Sequence, residues 1–510
     1  MTSSSTHGSE GRPGPADPHL LADSLAARTG ASVEVRTTHM SWIVLTAEHA
    51  YKLKRPVALD FADMRDPQVR AASCRRELAL NDVLAPGLGI AVRAVVPGPD
   101  GYALADDDDP RAIDHVIEMH RYDEGRTMRS LLERGLLTPA QARATGRCLG
   151  AFHRATTRLR TPIDERARFA VNAQALRALL DDPDLVRQVR GLERFATAFT
   201  ATWGDVLAAR TSNGCVIDGH GDVRAEHVLL DEDRSVRIVD RLDIDDLRRV
   251  DRADDLAFLV MDLESRDGAG FVGDVLEGYA EGGPAVPPTA LLAYFAAYRA
   301  LVRAKVSLLP DAADGDRSAP LIALARASAW RARGPVLLLV TGPPASGKST
   351  LAEALGHAGA IPVLSSDAVR AEHPSLGYGD AARASIYREL ARRAGSEGSF
   401  VVDATFGEPG LQDAFFRAIA AHPQRVTLTI ECEAPAELRL ARAEARHGGE
   451  DDHLSDAGAD VARELGERFV SVPGSRTDGR LVVDATTPVE DQLDAIEAWL
   501  DQRLSAGALS

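Results

Sequence analysis

Residues 335–355, PVLLLVTGPPASGKSTLAEAL, constrain the fold of this chain more than any other stretch. Val336 to Val340 form an unbroken apolar run of strand length, as expected for a strand buried on both faces. Gly342 to Ser349 fit G-x-x-x-x-G-K-[ST], and Thr350 onward reads as an alanine-rich helix. A strand, a glycine turn and a helix in that order aim successive backbone N–H groups and a helix N-terminus at one anion. Gly342 and Gly347 permit the turn, and Ser346 and Thr350 complete the loop. Lys348 is expected to reach the β and γ phosphates, and Ser349 to offer its hydroxyl to Mg²⁺. The expected guest is ATP.

The same alternation continues downstream. IPVLSSD, SFVVDAT, RVTLTIECE and RLVVDAT are buried-strand runs separated by helical stretches, which predicts an α/β domain with a doubly wound parallel sheet. Asp367, at the end of the second strand, faces the crevice where open sheets bind ligands, and Arg370 follows one helical turn later. A carboxylate to orient an acceptor hydroxyl and a guanidinium to grip a polar acceptor suit phosphoryl transfer. Asp403 ends the next strand, near the metal or the acceptor. Arg442 and Arg446, one turn apart on a later helix, are placed to neutralise charge on a moving phosphoryl group.

This loop begins after enough sequence to make a complete enzyme. At 510 residues the chain exceeds what one core usually supports, so at least two domains are expected. A net charge of −17 argues against duplex nucleic acid and anionic membrane as partners. The most apolar helical stretch, ALLAYFAAYRALVRAKV, is interrupted by Arg299, Arg303 and Lys305, so no bilayer span is expected. Cys74, Cys148, Cys215 and Cys432 form no C-x-x-C pair, which fits reduced thiols and a cytoplasmic setting. Only four of the 59 basic residues are lysine: Lys52, Lys54, Lys305 and Lys348. In so arginine-rich a chain, the lysines mark places where a compact ammonium on a thin stem is needed.

The first 308 residues open with strand-like alternation (ASVEVRT, SWIVLTAEHAYKLKRPV) and a helix over 66–85. Further short strands follow, and the pattern turns helical after Asp123. A strand-rich lobe followed by a helix-rich lobe is expected, an α+β arrangement. In VIDGHGDVRAEHVLLDEDRSVRIVD, one strand delivers His220, Gly221 and Asp222, His227 comes five residues later, and a second strand delivers Asp240. Two carboxylates at neighbouring strand ends suit phosphoryl transfer, one taking a hydroxyl proton and the other holding Mg²⁺. Upstream, Lys52 and Lys54 share one strand face and Glu77 lies on the following helix. That pairing holds the α and β phosphates in protein-kinase-like folds. Of the two lysines, Lys52 is preferred because its neighbours are apolar.

These residues, with GAFHR at 150–154 and DDLAF at 254–258, resemble the aminoglycoside phosphotransferase and choline-kinase-like branch of the kinase fold over residues 20–308. The resemblance implies Asp222 as base and Asp240 as metal ligand. His227 stands where that family usually has Asn: it either shifts the metal preference toward Mn²⁺ or orders the loop without binding metal. No glycine-rich G-x-G-x-x-G covers the phosphates. Residues 335–505 resemble P-loop kinases of the polynucleotide-kinase, zeta-toxin and gluconate-kinase group. The whole chain resembles bacterial proteins described as bifunctional aminoglycoside phosphotransferase and ATP-binding proteins.

The expected organisation is therefore a disordered tail (1–18), a kinase-like domain (19–308), a linker with a bridging helix (309–334), a P-loop domain (335–505) and a short tail (506–510). The expected activity is transfer of γ-phosphoryl groups to hydroxyls of small molecules at two sites. A nucleotide-sensing regulator with a pseudokinase lobe and an ATP-binding switch domain is the alternative. The acidic stretches LDIDD and DRADD either admit a cationic amino sugar or form a structural network.

Overall fold

The computed structural model describes residues 15–507 apart from 39, 60–61, 232–234, 310–314, 374–378, 423–424 and 448–458. Most of the expected N-terminal tail, the middle of the linker, the end of the arginine segment after residue 447 and the last three residues thus lie outside the described residues. The chain forms two compact units. Unit 1 takes residues up to 163, 208–287 and 302–318, and unit 2 takes 164–207, 288–301 and 319–510. Two stretches of the 19–308 span therefore fold into the unit that holds the P-loop segment.

Unit 1 begins with the strand-rich lobe expected from the alternation. Strands β1 (Glu34–Thr37), β2 (Ser41–Leu45) and β3 (His49–Lys54) form a meander, followed by a two-residue pair, β4 (Ala58–Leu59) and β5 (Ala62–Asp63). After a helix come β6 (Gly89–Gly98), β7 (Gly101–Asp106) and β8 (Asp114–His120). The main sheet has the order β1-β2-β3-β8-β6-β7 and is antiparallel throughout. Its alternation buries Val44, Leu53, Val95 and Val116 on one face, against Leu21 and Leu25 of the helix Pro18–Thr29. That helix is capped by Asp17, which accepts the His19 N–H at 2.8 Å, and it ends on a left-handed Gly30.

The opposite face receives the helix Pro67–Asp82, whose Cys74 and Leu78 pack on Val92 and Ile117. Its first turns are fixed by charge. Arg70, buried, makes a two-pronged contact with the buried Asp114 at the start of β8, 3.0 and 2.7 Å. The clamp sets the helix on the sheet seven residues before Glu77, which the site uses.

The helical part of unit 1 packs the helix Pro139–Ala155, which has a Thr138/Gln141 capping box, against the helix Val272–Gly282. The axes approach through glycine, and a Cβ on Gly278 would overlap the Arg143 carbonyl. Two short ladders carry the loops of interest: β9 (Val216–Asp218) pairs with β12 (Arg249–Asp251), and β10 (Val228–Leu230) with β11 (Val236–Ile238). Beneath them lies the helix Arg252–Glu264, buried from Ala253 to Leu263.

Unit 2 contains β13 (Val336–Thr341), β14 (Val363–Ser365), β15 (Phe400–Asp403), β16 (Val426–Glu433) and β17 (Gly479–Asp484), all parallel in the order β14-β15-β13-β16-β17. Each expected strand run forms one of them, and β13, buried at every position, is central. The bridging helix expected within 309–334 runs from Ser318 to Ala332. A line of ion pairs and one indole hydrogen bond ties it and residue 194 to the last helix, Val489–Ser505: Glu497 accepts from Arg326 at 2.7 Å and Trp330 Nε1 at 2.9 Å, and Asp501 from Arg333 at 2.7 Å and Arg194 at 3.2 Å.

Replacing Asp114 with Ala leaves the Arg70 guanidinium buried without its counter-charge. The expected cost is about 3–5 kcal/mol, read as a lower urea midpoint, whereas the Arg70→Met/Asp114→Leu double substitution costs much less.

Candidate active sites

In unit 1 the loop after β9 is held from below by one carboxylate. Asp255, fully buried, accepts the backbone N–H of His220 at 2.6 Å and of Gly221 at 2.8 Å and lies 3.3 Å from His153 Nε2. Burial opposes the charge on Asp255, but the His153 contact and these N–H groups outweigh it and hold the carboxyl at about 2. Gly221 needs its left-handed φ of 87° and its lack of a side chain, since a Cβ there would sit 2.8 Å from the Leu247 carbonyl. His220 donates from Nε2 to the Val239 carbonyl at 2.9 Å and accepts the Asp222 N–H at Nδ1. Burial pushes its pKa down to about 4, so the ring is neutral and works as a strut.

That strut links the two expected carboxylates, because Val239 precedes Asp240. Asp240 adopts a left-handed φ of 60°, a strained conformation for a non-glycine residue. Its Oδ1 lies 2.7 Å from Lys52 Nζ, and the same ammonium is 2.7 Å from Glu77 Oε1. Lys52 foremost holds Asp240 well below the usual carboxylate range. Burial works against the Lys52 charge, but Asp240 and Glu77 together raise it well above its ordinary value. Lys54 is buried deeper, pairs with the other Glu77 oxygen and lies 3.5 Å from Asp243. Lys52 therefore faces the cleft and Lys54 braces Glu77. The cleft is lined by apolar Ile43, Leu45, Ile117 and Met119 together with the Lys52, Glu77 and Asp240 cluster and the charged Arg36, Arg121 and Glu124. An apolar slot ending in a charged corner fits a flat base with a phosphate chain.

Asp222 is not open. Arg224 grips both of its oxygens, Nε to Oδ1 at 2.9 Å and Nη2 to Oδ2 at 3.0 Å, and also pairs with Glu226. Burial raises the Asp222 pKa, but Arg224 and then His227 reverse the effect and hold it well below the usual range. His227 donates from Nδ1 to the Asp222 carbonyl at 2.8 Å, and its Nε2 lies 3.2 Å from Arg224 Nη2 and 3.8 Å from Asp240 Oδ2. Both imidazole nitrogens are engaged within the protein, so here His227 orders the loop. The sequence reading placed His153 and Asp255 only inside GAFHR and DDLAF, without a role for either, and passed over Arg224 and Arg241. Arg241 closes the loop from the other side, donating to the Gly219 and Asp218 carbonyls above the Phe152 ring.

In unit 2 the glycine turn has the expected geometry. Gly342 has φ 142° and a Cβ there would meet the Cys432 carbonyl at 2.6 Å, while Gly347, φ 95°, caps the helix Lys348–Gly359. Lys348 Nζ donates to the Pro343 carbonyl at 2.9 Å, folding over its own loop. The buried Ser346 hydroxyl has no hydrogen-bond partner among the described residues. Nor has Nη1 of Arg442, which lies 3.7 Å from where a Gly347 Cβ would be. Unsatisfied buried donors around this turn are what an anion would satisfy. Ser349 and Thr350 open the helix on an exposed face. Asp403, at the end of β15, is raised by burial against the pull of Lys348 and of the Ser349 hydroxyl bonded to it. Asp367 and Arg370 line a neighbouring pocket of about 650 Å³ with Arg383, Tyr387, Glu408 and Arg468. The Arg446 side chain lies outside the described residues.

Among the described residues no three His, Cys, Asp or Glu side chains cluster as a metal cage. Mg²⁺ is usually held by one or two carboxylates with substrate phosphates and water, and Asp240 in unit 1, or Ser349 with Asp403 in unit 2, fit that pattern.

Two family models match the chain: a phosphotransferase enzyme family over residues 33–292 and an AAA domain over 337–471. Uncharacterized proteins of Mycobacterium tuberculosis H37Rv and of Mycobacterium bovis are 31% identical over 468 residues, covering 86% of this chain and 90% of theirs. Among solved structures, a spectinomycin phosphotransferase in complex with ADP and spectinomycin covers 60% of this chain and 93% of its own, at 12% identity and a TM-score of 0.38. A putative kinase from Chloroflexus aurantiacus covers 33% and 97%, at 27% identity and a TM-score of 0.26.

The neutral His220 makes unit 1 acid-sensitive. Below about 6.5 the unfolded chain takes up a proton that the folded ring refuses until about 4. The contribution, about 3 kcal/mol at most, is complete above that window and lost as pH falls through it. The urea midpoint is expected to drop between pH 6.5 and 4, and to drop less steeply in His220→Gln.

Proposed function

The chain belongs to the phosphotransferase enzyme family, and from that premise we propose that it is an ATP-dependent kinase with two active sites, each phosphorylating a hydroxyl of a small molecule. The observation that carries the reading is that each unit brings a lysine ammonium and a carboxylate to one cleft: Lys52 with Asp240, and Lys348 with Asp403. A triphosphate needs the cation, and the metal that accompanies it needs the carboxylate.

In unit 1, Lys52, fixed by Glu77, grips the phosphates while the slot between Leu45 and Met119 takes the base. Asp222 aligns the acceptor hydroxyl and takes its proton. In unit 2, the turn from Gly342 to Gly347 cradles the phosphates, Lys348 extends along them, and the free Nη1 of Arg442 donates to the moving group. Asp367 orients the acceptor, with Arg370 beside it. Mg²⁺, when bound at Asp240 or at Ser349 and Asp403, would neutralise phosphate charge. His227 has no nitrogen to spare for Mn²⁺ while it holds Arg224. No helix among the described residues is long and apolar enough to cross a membrane.

ADP release over a panel of sugars, sugar acids, amino sugars and nucleosides tests the reading. Asp222→Asn is expected to cut turnover of one set of acceptors, and Lys348→Met of another, each by about 10²–10⁴. A chain that binds ATP yet shows no acceptor-dependent ADP release, or whose turnover ignores both substitutions, is not this enzyme.

A further inference from the structure

The Arg224 clamp is out of place for a base. A carboxylate that takes a hydroxyl proton must offer an oxygen, and both Asp222 oxygens are occupied, at 2.9 and 3.0 Å. Arg224 needs somewhere else to go before the reaction starts, and the surroundings offer it little. Glu226, its other carboxylate partner, already accepts from Arg129 at 2.9 Å. Asp262 is used by the Ala225 N–H at 2.9 Å and by Arg266 at 3.2 Å.

A second arginine strengthens the point. Arg303 faces Asp222, Glu226 and Asp262 closely enough to feel their charge, but it makes no hydrogen bond or ion pair among the described residues. Burial and the nearby Arg224 cation depress its pKa. The acceptor side of Asp222 thus holds more guanidinium than the fixed carboxylates can satisfy once Asp222 is engaged by a substrate. The nearby acidic residues do not redress this, because they are engaged elsewhere: in the two acidic stretches Asp243 on Lys54 and Ser73, Asp245 on Arg76 and Arg248, Asp246 on Arg249, Asp251 on Arg210 and Asp255 on the His220 and Gly221 N–H groups, and outside them Asp218 on Arg241 and Arg248.

We propose that the unit 1 acceptor is an anionic hydroxyl compound, and that its oxyanion, a phosphate ester or a carboxylate, draws Arg224 off Asp222. The inference rests on the kinase reading of this site. With Arg224 on the acceptor, an Asp222 oxygen is released to the hydroxyl. The hydroxyl oxygen then bonds to the γ-phosphorus, the bond from that phosphorus to the β,γ-bridging oxygen breaks, the proton passes to Asp222, and ADP leaves. A neutral acceptor leaves the clamp closed, and a cationic amino sugar meets Arg129, Arg224 and Arg303. Selectivity arises from exclusion as much as from attraction. Arg224 is a specificity-determining residue, and the guanidinium fork matters because it fits the planar carboxylate of Asp222 and an oxyanion equally well.

The full chain, saturated with ADP so that the nucleotide phosphates are in place, is titrated with inorganic phosphate, glucose 6-phosphate, gluconate, glucose and glucosamine, and compared with Arg224→Gln and Arg224→Lys. Phosphate-bearing or carboxylate-bearing probes are expected to bind, with Kd weakened about tenfold or more in Arg224→Gln and by less in Arg224→Lys. The phosphate and gluconate arms tell which oxyanion is preferred. Glucose and glucosamine are expected to bind weakly and to gain, not lose, in Arg224→Gln. If oxyanion binding is the same in Arg224→Gln, or glucosamine binds more tightly than glucose 6-phosphate, the proposal is overturned. The kinase reading is judged separately, by loss of ADP release in Asp222→Asn. Asp222-dependent turnover that favours neutral or amino sugars keeps the kinase and rejects the anionic acceptor.

Discussion

One ammonium held between two carboxylates organises unit 1. Lys52 Nζ lies 2.7 Å from both Glu77 and Asp240, so β3, the helix Pro67–Asp82 and the end of β11 meet at a single charge. Asn81 of that helix also accepts the Arg241 N–H, next to Asp240, at 3.0 Å. Glu77 is nearly buried, and it tolerates that position because two lysines share it. The Arg70–Asp114 clamp and the His220 strut then transmit this arrangement outward, the first to the sheet and the second to the loop of Asp222. The ammonium is also the group a phosphate chain would meet, so the fold and the candidate site depend on the same contact.

Unit 2 meets a phosphate by a different route. Its anion cradle is made of backbone N–H groups, which only the left-handed Gly347 and the side-chain-free Gly342 allow to converge. Charge enters late, through Lys348 and Arg442, and Nη1 of Arg442 has no hydrogen-bond partner among the described residues. A cradle of this kind depends on local sequence. The unit 1 site depends on residues almost 190 apart, Lys52 and Asp240.

That difference explains what the sequence disclosed. Val336 to Ser349 announced strand, turn and helix because every requirement is contiguous, and the four later strand runs followed from their apolar character. The scarcity of lysine singled out Lys52 and Lys348. The order of His220, Asp222 and Asp240 marked the loop. The roles of Asp255 and His153, quoted only within DDLAF and GAFHR, and Arg241 itself stayed hidden because they act through burial and through groups that they reach only in the folded chain. Arg224 could have been noticed, since a residue two positions from Asp222 on an extended stretch points to the same side. In a chain with so many arginines, composition alone gives no reason to choose it. The interleaving of 164–207 with the parallel-sheet unit was equally illegible, because it rests on pairs such as Arg194 with Asp501 that join distant segments.

The two sites are also poised in opposite electrostatic senses. In unit 1, Asp222 and Asp240 are surrounded by cations and stay ionised against burial. Both Asp222 oxygens are already taken by Arg224, so an incoming group must displace that cation to reach them, whereas Asp240 gives one oxygen to Lys52. In unit 2, Asp403 is pushed up by burial, and Lys348 with the Ser349 hydroxyl only partly counteract it. A carboxylate in that condition gains from any further cation brought beside it, since desolvation without full pairing is the costly state. The unit 1 site is therefore arranged to select by displacement, and the unit 2 site to be completed by what arrives. Two pockets with the same lysine-and-carboxylate inventory thus impose different conditions on their ligands: the first needs a competitor for Arg224, the second a counter-charge for Asp403.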